Sequence, residues 1–497
     1  MAKAGLVLKS KPWEILDKDQ LKTLDNVAYE ILRDVGVFME DEELLKMAKG
    51  MGASVDFEKK IVKDIPEDVV REDVKKAPKN FILAGRDPGW DLVFEDGVRR
   101  QTWAPECGAT DALIWDSVNK SYHRKRASAK DTAYAAKIVD GIDDFDHNIY
   151  LYDTAEEGQQ GLPSELHRMN AMLRNTTKWA GHLTTTVSDI KEHDYVMKLG
   201  AIVAGGEEEF RKRPLFWSVY NYIGALQLNR FNSWLLRASM KHHIPIMPAV
   251  TSAAPLMAPA TSAGNTALSH AGCLWLTALK QHYDPGVAVV ENNIVFCLDP
   301  YTGRGTLPSS HFLYGQVAMN QLWHNLYGLP VAQYSGTGAC SLDQQAFTLM
   351  GSMMFQVAMQ TDMIFIQFAA EALDPVMIPI AAEIAHYGKH LASTFSQILP
   401  TEENLALKLM KEIGPIGQPW MTTDFNMERI EMFYKALTLD TRPLDTWLVE
   451  GAQSWAHDLC RAKLKEMEKH EPMPLPKDVQ ERMDAVVKEG TDLLKRQ

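Results

Sequence analysis

The chain has 497 residues, enough for one large core or two modest ones, and its 46% hydrophobic and 24% charged content is ordinary for a soluble globular protein. A net charge of −13 with a pI near 5.6 argues against nucleic acid or an acidic membrane surface as the main partner and weakly favours a neutral or cationic ligand. The five cysteines (Cys107, Cys273, Cys297, Cys340 and Cys460) form neither a disulfide framework nor a metal-ligand spacing, no run reaches a membrane span, and the N-terminus has no signal-peptide pattern, so a cytoplasmic location is expected.

Residues 15–35 carry helical periodicity through Leu21, Leu24, Val27, Ala28, Ile31 and Leu32. Asp17 is placed to cap this helix, Gln20 completes a capping box, and Gly36 suits its end. Shorter helices are expected over 41–49 and 66–78. From 80 to 122 the pattern changes to short strands joined by Asp-Pro-Gly, Asp-Gly and Asn-Lys turns. This reads as a small antiparallel element outside the main sheet, although its segment 102–116, TWAPECGATDALIWD, is within reach of the site.

After a helix at 127–138, apolar strands alternate with helices. The strands are HNIYLYD (147–153), KWAGHLTTT (178–186), PLFWSVYNY (214–222), IPIMPAV (244–250), GVAVVENN (286–293), LPVAQYSG (329–336) and DMIFIQF (362–368). Apolar strands alternating with helices mean a parallel sheet buried on both faces. An eighth strand is expected within 101–117 or near 412–424. The reading is a closed (β/α)8 TIM barrel over 126–425, with helical and antiparallel additions over 1–125 and a C-terminal helical cap over 426–497. An open doubly wound sheet is the rival, but neither GxGxxG nor a Walker sequence is present. Beyond 400 helices are expected at 402–414, 443–470 and from 477 onward, where Val479, Met483, Val486 and Val487 share a face. That face hints at association between copies.

In such folds the chemistry sits at the C-terminal ends of the strands. Here those ends carry Tyr220, Tyr222, Glu291, Asn292, Asn293, Tyr334 and Phe368, with no basic residue. Of the 15 histidines, His386 and His390 share a helix face, but HYGKH lacks the glutamate of HExxH, so no metal is expected. There is no GxSxG; Cys340 is the best nucleophile candidate, with packing the more ordinary reading. TGRGT offers Arg304 to an anion such as a carboxylate. The aromatics Phe216, Trp217, Tyr220, Tyr222, Tyr334, Phe368, Trp420 and Phe425 are partly core. Several of them facing one cavity with Glu291 or Glu371 suit a quaternary ammonium through cation–π attraction.

The chain resembles the trimethylamine methyltransferase family, in particular its members without pyrrolysine that act on quaternary amines such as betaines. The resemblance rests on LRDVG (32–36), the segment 55–78, Arg86-Asp87-Pro88, the segment 116–140, APATSAGNTALSHAG (258–272), LDPYTGRGTLPSS (298–310) with Asp299, Thr302 and Gly303, and LWHNLYGLPV (322–331). It implies a (β/α)8 barrel that moves a methyl group from a methylated amine to the cobalt of cob(I)alamin. That corrinoid is carried by a separate partner protein, so this chain holds no cofactor of its own. The trimethylamine branch carries pyrrolysine, and this sequence has none. Departures from the family pattern fall at 269–271, at 337–343 and at 418–425, where substrate contacts are expected.

On this reading Trp217, Tyr220, Tyr222, Phe368, Trp420 and Phe425 bind the methylated cation, with Arg304 or His311 holding a carboxylate if the substrate has one. Catalytic roles fall to Glu291, Tyr334 and His270. The alternatives are a tertiary methylamine:corrinoid methyltransferase, a barrel hydrolase or lyase using Glu291 as acid or base with His270 or Cys340 near it, and a betaine-binding barrel without activity.

Overall fold

The computed structural model describes residues 4–183, 189–224, 226–298, 301, 305–306, 309–336, 339–342, 351–368, 371–415, 419–450 and 456–495. The first helix, Lys18–Glu30, starts where its cap predicts. Asp17 accepts from the backbone of Asp19 and Gln20, and Gln20 returns a bond to the Asp17 backbone. Helices Glu42–Gly50 and Glu67–Val74 follow. Two antiparallel hairpins, Phe81–Leu83 with Leu92–Phe94 and Asp111–Asp116 with Ser121–Arg126, occupy the stretch where the turns predict them.

The main sheet is built from β1 (Leu6–Val7), β2 (Arg100–Glu106), β3 (His182–Leu183), β4 (Trp217–Ile223), β5 (Ile246–Ala254), β6 (Glu291–Leu298), β7 (Val331–Gly336) and β8 (Met363–Gln367). The spatial order is β1-β2-β8-β7-β6-β5-β4-β3, with Gly305–Thr306 paired antiparallel to β6. Along this order every pairing from β2 through β3 is parallel, and β1 runs antiparallel to β2. The sheet therefore takes its extra strand from 100–106. The other candidate region, near 412–424, is helical at Leu407–Ile413.

The closed (β/α)8 TIM barrel expected from the sequence is corrected by the structure. The sheet is an open, strongly curled half-barrel that turns through 220° and leaves its edges 21 Å apart. The segment HNIYLYD, expected as a strand, lies between those edges without forming a ladder. It touches both sides through isolated bonds: Asp146 N to Trp103 O (2.8 Å), Asn148 N to Trp179 O (3.0 Å) and a single bridge between Ala109 and Tyr152.

The reason lies in its polar side chains and in the edges themselves. Asp146 spends its carboxylate on the backbone N–H groups of Gly5 and Trp103, and Asn148 donates to Ala136 O and Thr176 Oγ1. Groups that a strand would satisfy by pairing are satisfied by side chains. On β2, Thr102 and Glu106 bond to the β8 side, so by alternation Trp103 and Pro105 face the gap, where Pro105 has no N–H to offer. On the opposite edge, the described part of β3 is His182–Leu183, paired in parallel with Trp217 and Ser218.

Helices cover the outside of the curl. Ser262–Tyr283 and Arg230–His242 pack on β4 to β6, and Met377–Thr394 packs on β2. In the last of these a Cβ at Gly388 would fall 2.5 Å from the Trp103 indole, so glycine is what lets the helix approach. No helix among the described residues is long and apolar enough to cross a membrane.

Candidate functional site

Alternation along each strand decides which side chains see the inside of the curl. Ala104, Trp217, Val219, Met247, Ala249, Ala332, Tyr334, Met363 and Phe365 share one interior cluster. Their sequence neighbours Ile364 and Ile366 pack into the outer layer, and so does Tyr220. Asn292 is level with Ala249 and Ala332 and therefore faces inward; its Oδ1 has no partner.

Six interior rings form a continuous wall. Tyr334 lies 5.2 Å from Phe365, which meets His182 edge-on at 5.2 Å and His147 edge-on at 5.7 Å. His182 stacks on Trp217 at 5.6 Å, and Trp217 meets Trp179 edge-on at 4.7 Å. Trp179 closes back on His147 at 5.8 Å. Edge-to-face geometry of this kind contributes about 0.5–1.5 kcal/mol per pair beyond area burial.

The polar atoms of this wall are left over. Both ring nitrogens of His147, Nε2 of His182 and the indole nitrogens of Trp179 and Trp217 are buried without hydrogen-bond partners. Burial holds His147 well below the usual imidazole range and brings His182 down to about 3. Both rings are thus neutral at pH 7 and do not repel a cation. At the end of β2, Glu106 shares the interior face of Ala104. Its Oε2 has no partner, and burial alone pushes its carboxyl up to about 8. Tyr334 is held protonated by burial and by Glu106 and Tyr150 beside it. Arg168 lies over the Tyr150 ring at 3.8 Å and is already paired with Glu165 and Asp153.

The residues singled out in the sequence scatter across this arrangement. Trp217 and Tyr334 are in the wall. Tyr220 points outward, where its hydroxyl donates to Ser239 Oγ at 2.5 Å. Phe368 is buried in the outer cluster with Leu373 and Met377. Glu291 also points outward and accepts from Thr277 Oγ1 at 2.6 Å, and burial holds its carboxyl well above the usual range. His270 is further out, bonded to Asp25 at 3.0 Å and edge-on to Trp323 at 4.9 Å. Neither Glu291 nor His270 therefore reaches the interior as acid or base. His311 bonds Ala260 O at 2.8 Å. Trp420 is 44% exposed among other exposed apolar side chains such as Met421 and Phe433, and Phe425 stacks under Arg429 at 3.9 Å. The side chain of Tyr222 and all of Arg304 lie outside the described residues.

Glu106, His147, Trp179, His182 and Phe365 carry the interior, and sequence reasoning did not single them out. The signal for Glu106 was present: a carboxylate ending an apolar strand, the same signal that drew attention to Glu291. Among the described residues no group of three or more histidines, cysteines or carboxylates is placed to hold a metal.

A family model described as trimethylamine methyltransferase matches residues 2–492. The chain belongs to the trimethylamine methyltransferase family. Within that family it is 24% identical over 490 residues to the trimethylamine methyltransferase MttB of Desulfitobacterium hafniense, covering 95% of this chain and 93% of that one. It is 25% identical over 490 residues to the MttB of Methanosarcina barkeri strain Fusaro, covering 94% and 93%. A solved monomethylamine methyltransferase of Methanosarcina barkeri aligns with a TM-score of 0.49 at 11% identity over 91% of this chain and 94% of that one. As a member of the trimethylamine methyltransferase family, the protein is a corrinoid-dependent methylamine methyltransferase.

Proposed function

We propose that the methyl donor is a small methylated ammonium ion seated against the ring wall, with a corrinoid protein docking above it as acceptor. In the transfer the C–N bond breaks, its electron pair stays on nitrogen, and a neutral amine departs. A Co(I) corrinoid supplies the electron pair that takes up the methyl group. The chain's own work is to strip water from the cation, hold it, and aim one methyl outward. The observation that carries the reading is the buried wall of Trp217, Trp179, Phe365 and Tyr334 with two neutral imidazoles, since aromatic faces attract a cation while offering it no hydrogen-bonding competitor.

Two donors are compatible with it. The relatives are trimethylamine methyltransferases, which supports a tertiary amine. One property of this chain favours a quaternary amine of the betaine type: the family resemblance places pyrrolysine in the trimethylamine branch, and the 497-residue sequence contains only common amino acids. A quaternary ammonium already has a neutral tertiary amine as its leaving group and needs no further activation. The test is a methyl-transfer assay with cob(I)alamin against trimethylamine, choline, glycine betaine and tetramethylammonium, reading methylated corrinoid. Turnover of trimethylamine alone decides for the tertiary donor, turnover of a quaternary compound for the second, and no turnover with any of them rejects the donor class.

A further inference from the structure

Five glutamates are buried among the described residues: Glu106, Glu165, Glu192, Glu291 and Glu383. Four have work inside the fold. Glu165 pairs with Arg168, Glu192 accepts from Leu166 N, Glu291 accepts from Thr277, and Glu383 accepts from Leu437 N and the Thr438 hydroxyl. Oε2 goes unpartnered in both Glu106 and Glu291, but Thr277 holds the Glu291 carboxyl, whereas burial alone acts on that of Glu106. A buried carboxylate without a counter-ion is costly, and one kept in a fold without a structural partner is available to a ligand.

We propose that Glu106 is the specificity-determining carboxyl of the donor site, the group that takes the ammonium of the methylated amine as its counter-ion. This rests on the donor reading above and goes further by naming what selects charge over shape. Glu106 stands at the C-terminal end of β2, level with Gln367 at the end of β8. Two residues on, Gly108 has φ +70°, and a Cβ there would fall 2.9 Å from the Tyr150 ring, so the chain turns tightly beneath that phenol.

The groups facing Glu106 leave the charge unmet. Tyr334 from β7 and Tyr150 from the segment between the sheet edges are both phenols held protonated. Its neighbour Cys107 is a thiol that burial keeps protonated. Behind Tyr150 the cation Arg168, from the helix Ser164–Asn175, is taken by Glu165 and Asp153. The imidazoles of His147 and His182, lower on the wall, are neutral. With the site empty the carboxyl is therefore protonated at pH 7, and an arriving cation must displace that proton.

Proton displacement makes the proposal measurable on the unaltered protein. Isothermal titration of the full chain with choline, tetramethylammonium and trimethylamine, in buffers of differing ionisation enthalpy, should show close to one proton released per cation at pH 7. Cation affinity should climb by up to about tenfold per pH unit below about 8 and level above it. Glu106→Gln should abolish both effects and weaken choline at pH 8.5 by about tenfold or more. It should leave the uncharged isostere 3,3-dimethylbutan-1-ol unchanged, and Glu106→Asp should recover part of the loss. Cation binding by the unaltered protein without proton release overturns the role of Glu106 and leaves the donor reading standing. So does a Glu106→Gln variant that keeps the pH dependence. Failure of every cation to bind overturns both.

Discussion

The imidazole of His182 lies 5.6 Å from the indole of Trp217 and within 25° of parallel to it, while His182 Nε2 and Trp217 Nε1 both point at no partner. Two polar rings are thus buried face to face as if they were apolar. If that face is part of a cation seat, Trp217→Leu should raise the dissociation constant of choline about 5- to 30-fold, the loss of a desolvated cation–π contact. The same change should move 3,3-dimethylbutan-1-ol less than about threefold. Tyr220→Phe, three residues on but facing the helix layer, should leave both ligands unaffected and cost about 1 kcal/mol of stability through the lost bond to Ser239. Calorimetric titration of the three proteins distinguishes the two faces of this strand.

The same burial sets the response to acid. Desolvation lowers the His182 imidazole from 6.5 to about 3, so the folded state resists a proton that the unfolded chain accepts readily. The stability this contributes is complete above about pH 6.5 and is lost as pH falls toward 3. His182→Gln should therefore reduce the acid-dependent loss of stability by on the order of 1–3 kcal/mol, read as a flatter Tm against pH. Parallel Tm curves for the two proteins would show that His182 is protonated in the folded state.

The parallel strands were legible because each is a short apolar run bounded by turn residues: the five runs from 214 to 368 all contribute strands to the sheet. Which side chain faces which way was not legible. A strand buried on both faces shows no alternation, so PLFWSVYNY does not reveal that Trp217 faces in and Tyr220 out. Register against neighbouring strands decides it. The curl's failure to close was hidden for a similar reason. HNIYLYD has the composition of a strand, and only the tertiary partners of Asp146 and Asn148 show that it is tied to its neighbours through side chains in place of a ladder. Glu291 and Glu106 carry the same sequence signal, and the difference between them is one of phase along the strand.

That difference can be tested at Glu291. Burial pushes its carboxyl well above the usual range, and Thr277 on the helix Ser262–Tyr283 donates to it. Glu291→Gln keeps the shape and the acceptor oxygen, so activity should stay within about twofold of the unaltered enzyme. An acid–base role would instead cost about 100-fold or more. A loss of that size in kcat, with the fold intact by circular dichroism, would return Glu291 to the reaction.

Asp146 is the remaining point of leverage, because it ties together three parts of the chain at the gap in the sheet. Its carboxylate accepts from Gly5 N at 2.8 Å and Trp103 N at 2.9 Å and pairs with Lys389 at 2.9 Å. Asp146→Ala leaves two backbone donors and an ammonium without their acceptor, which should cost about 2–4 kcal/mol. The effect should not stop at stability. The next residue, His147, belongs to the ring wall, so a loosened 146–153 segment should also weaken choline, and proteolysis should reach the N-terminal strand earlier. Adding Lys389→Leu should recover part of the Tm but not the ligand affinity, since it removes the unpaired charge without restoring the bonds that hold the segment. Recovery of both would mean that Lys389, and not the backbone of Gly5 and Trp103, is what Asp146 is there to hold.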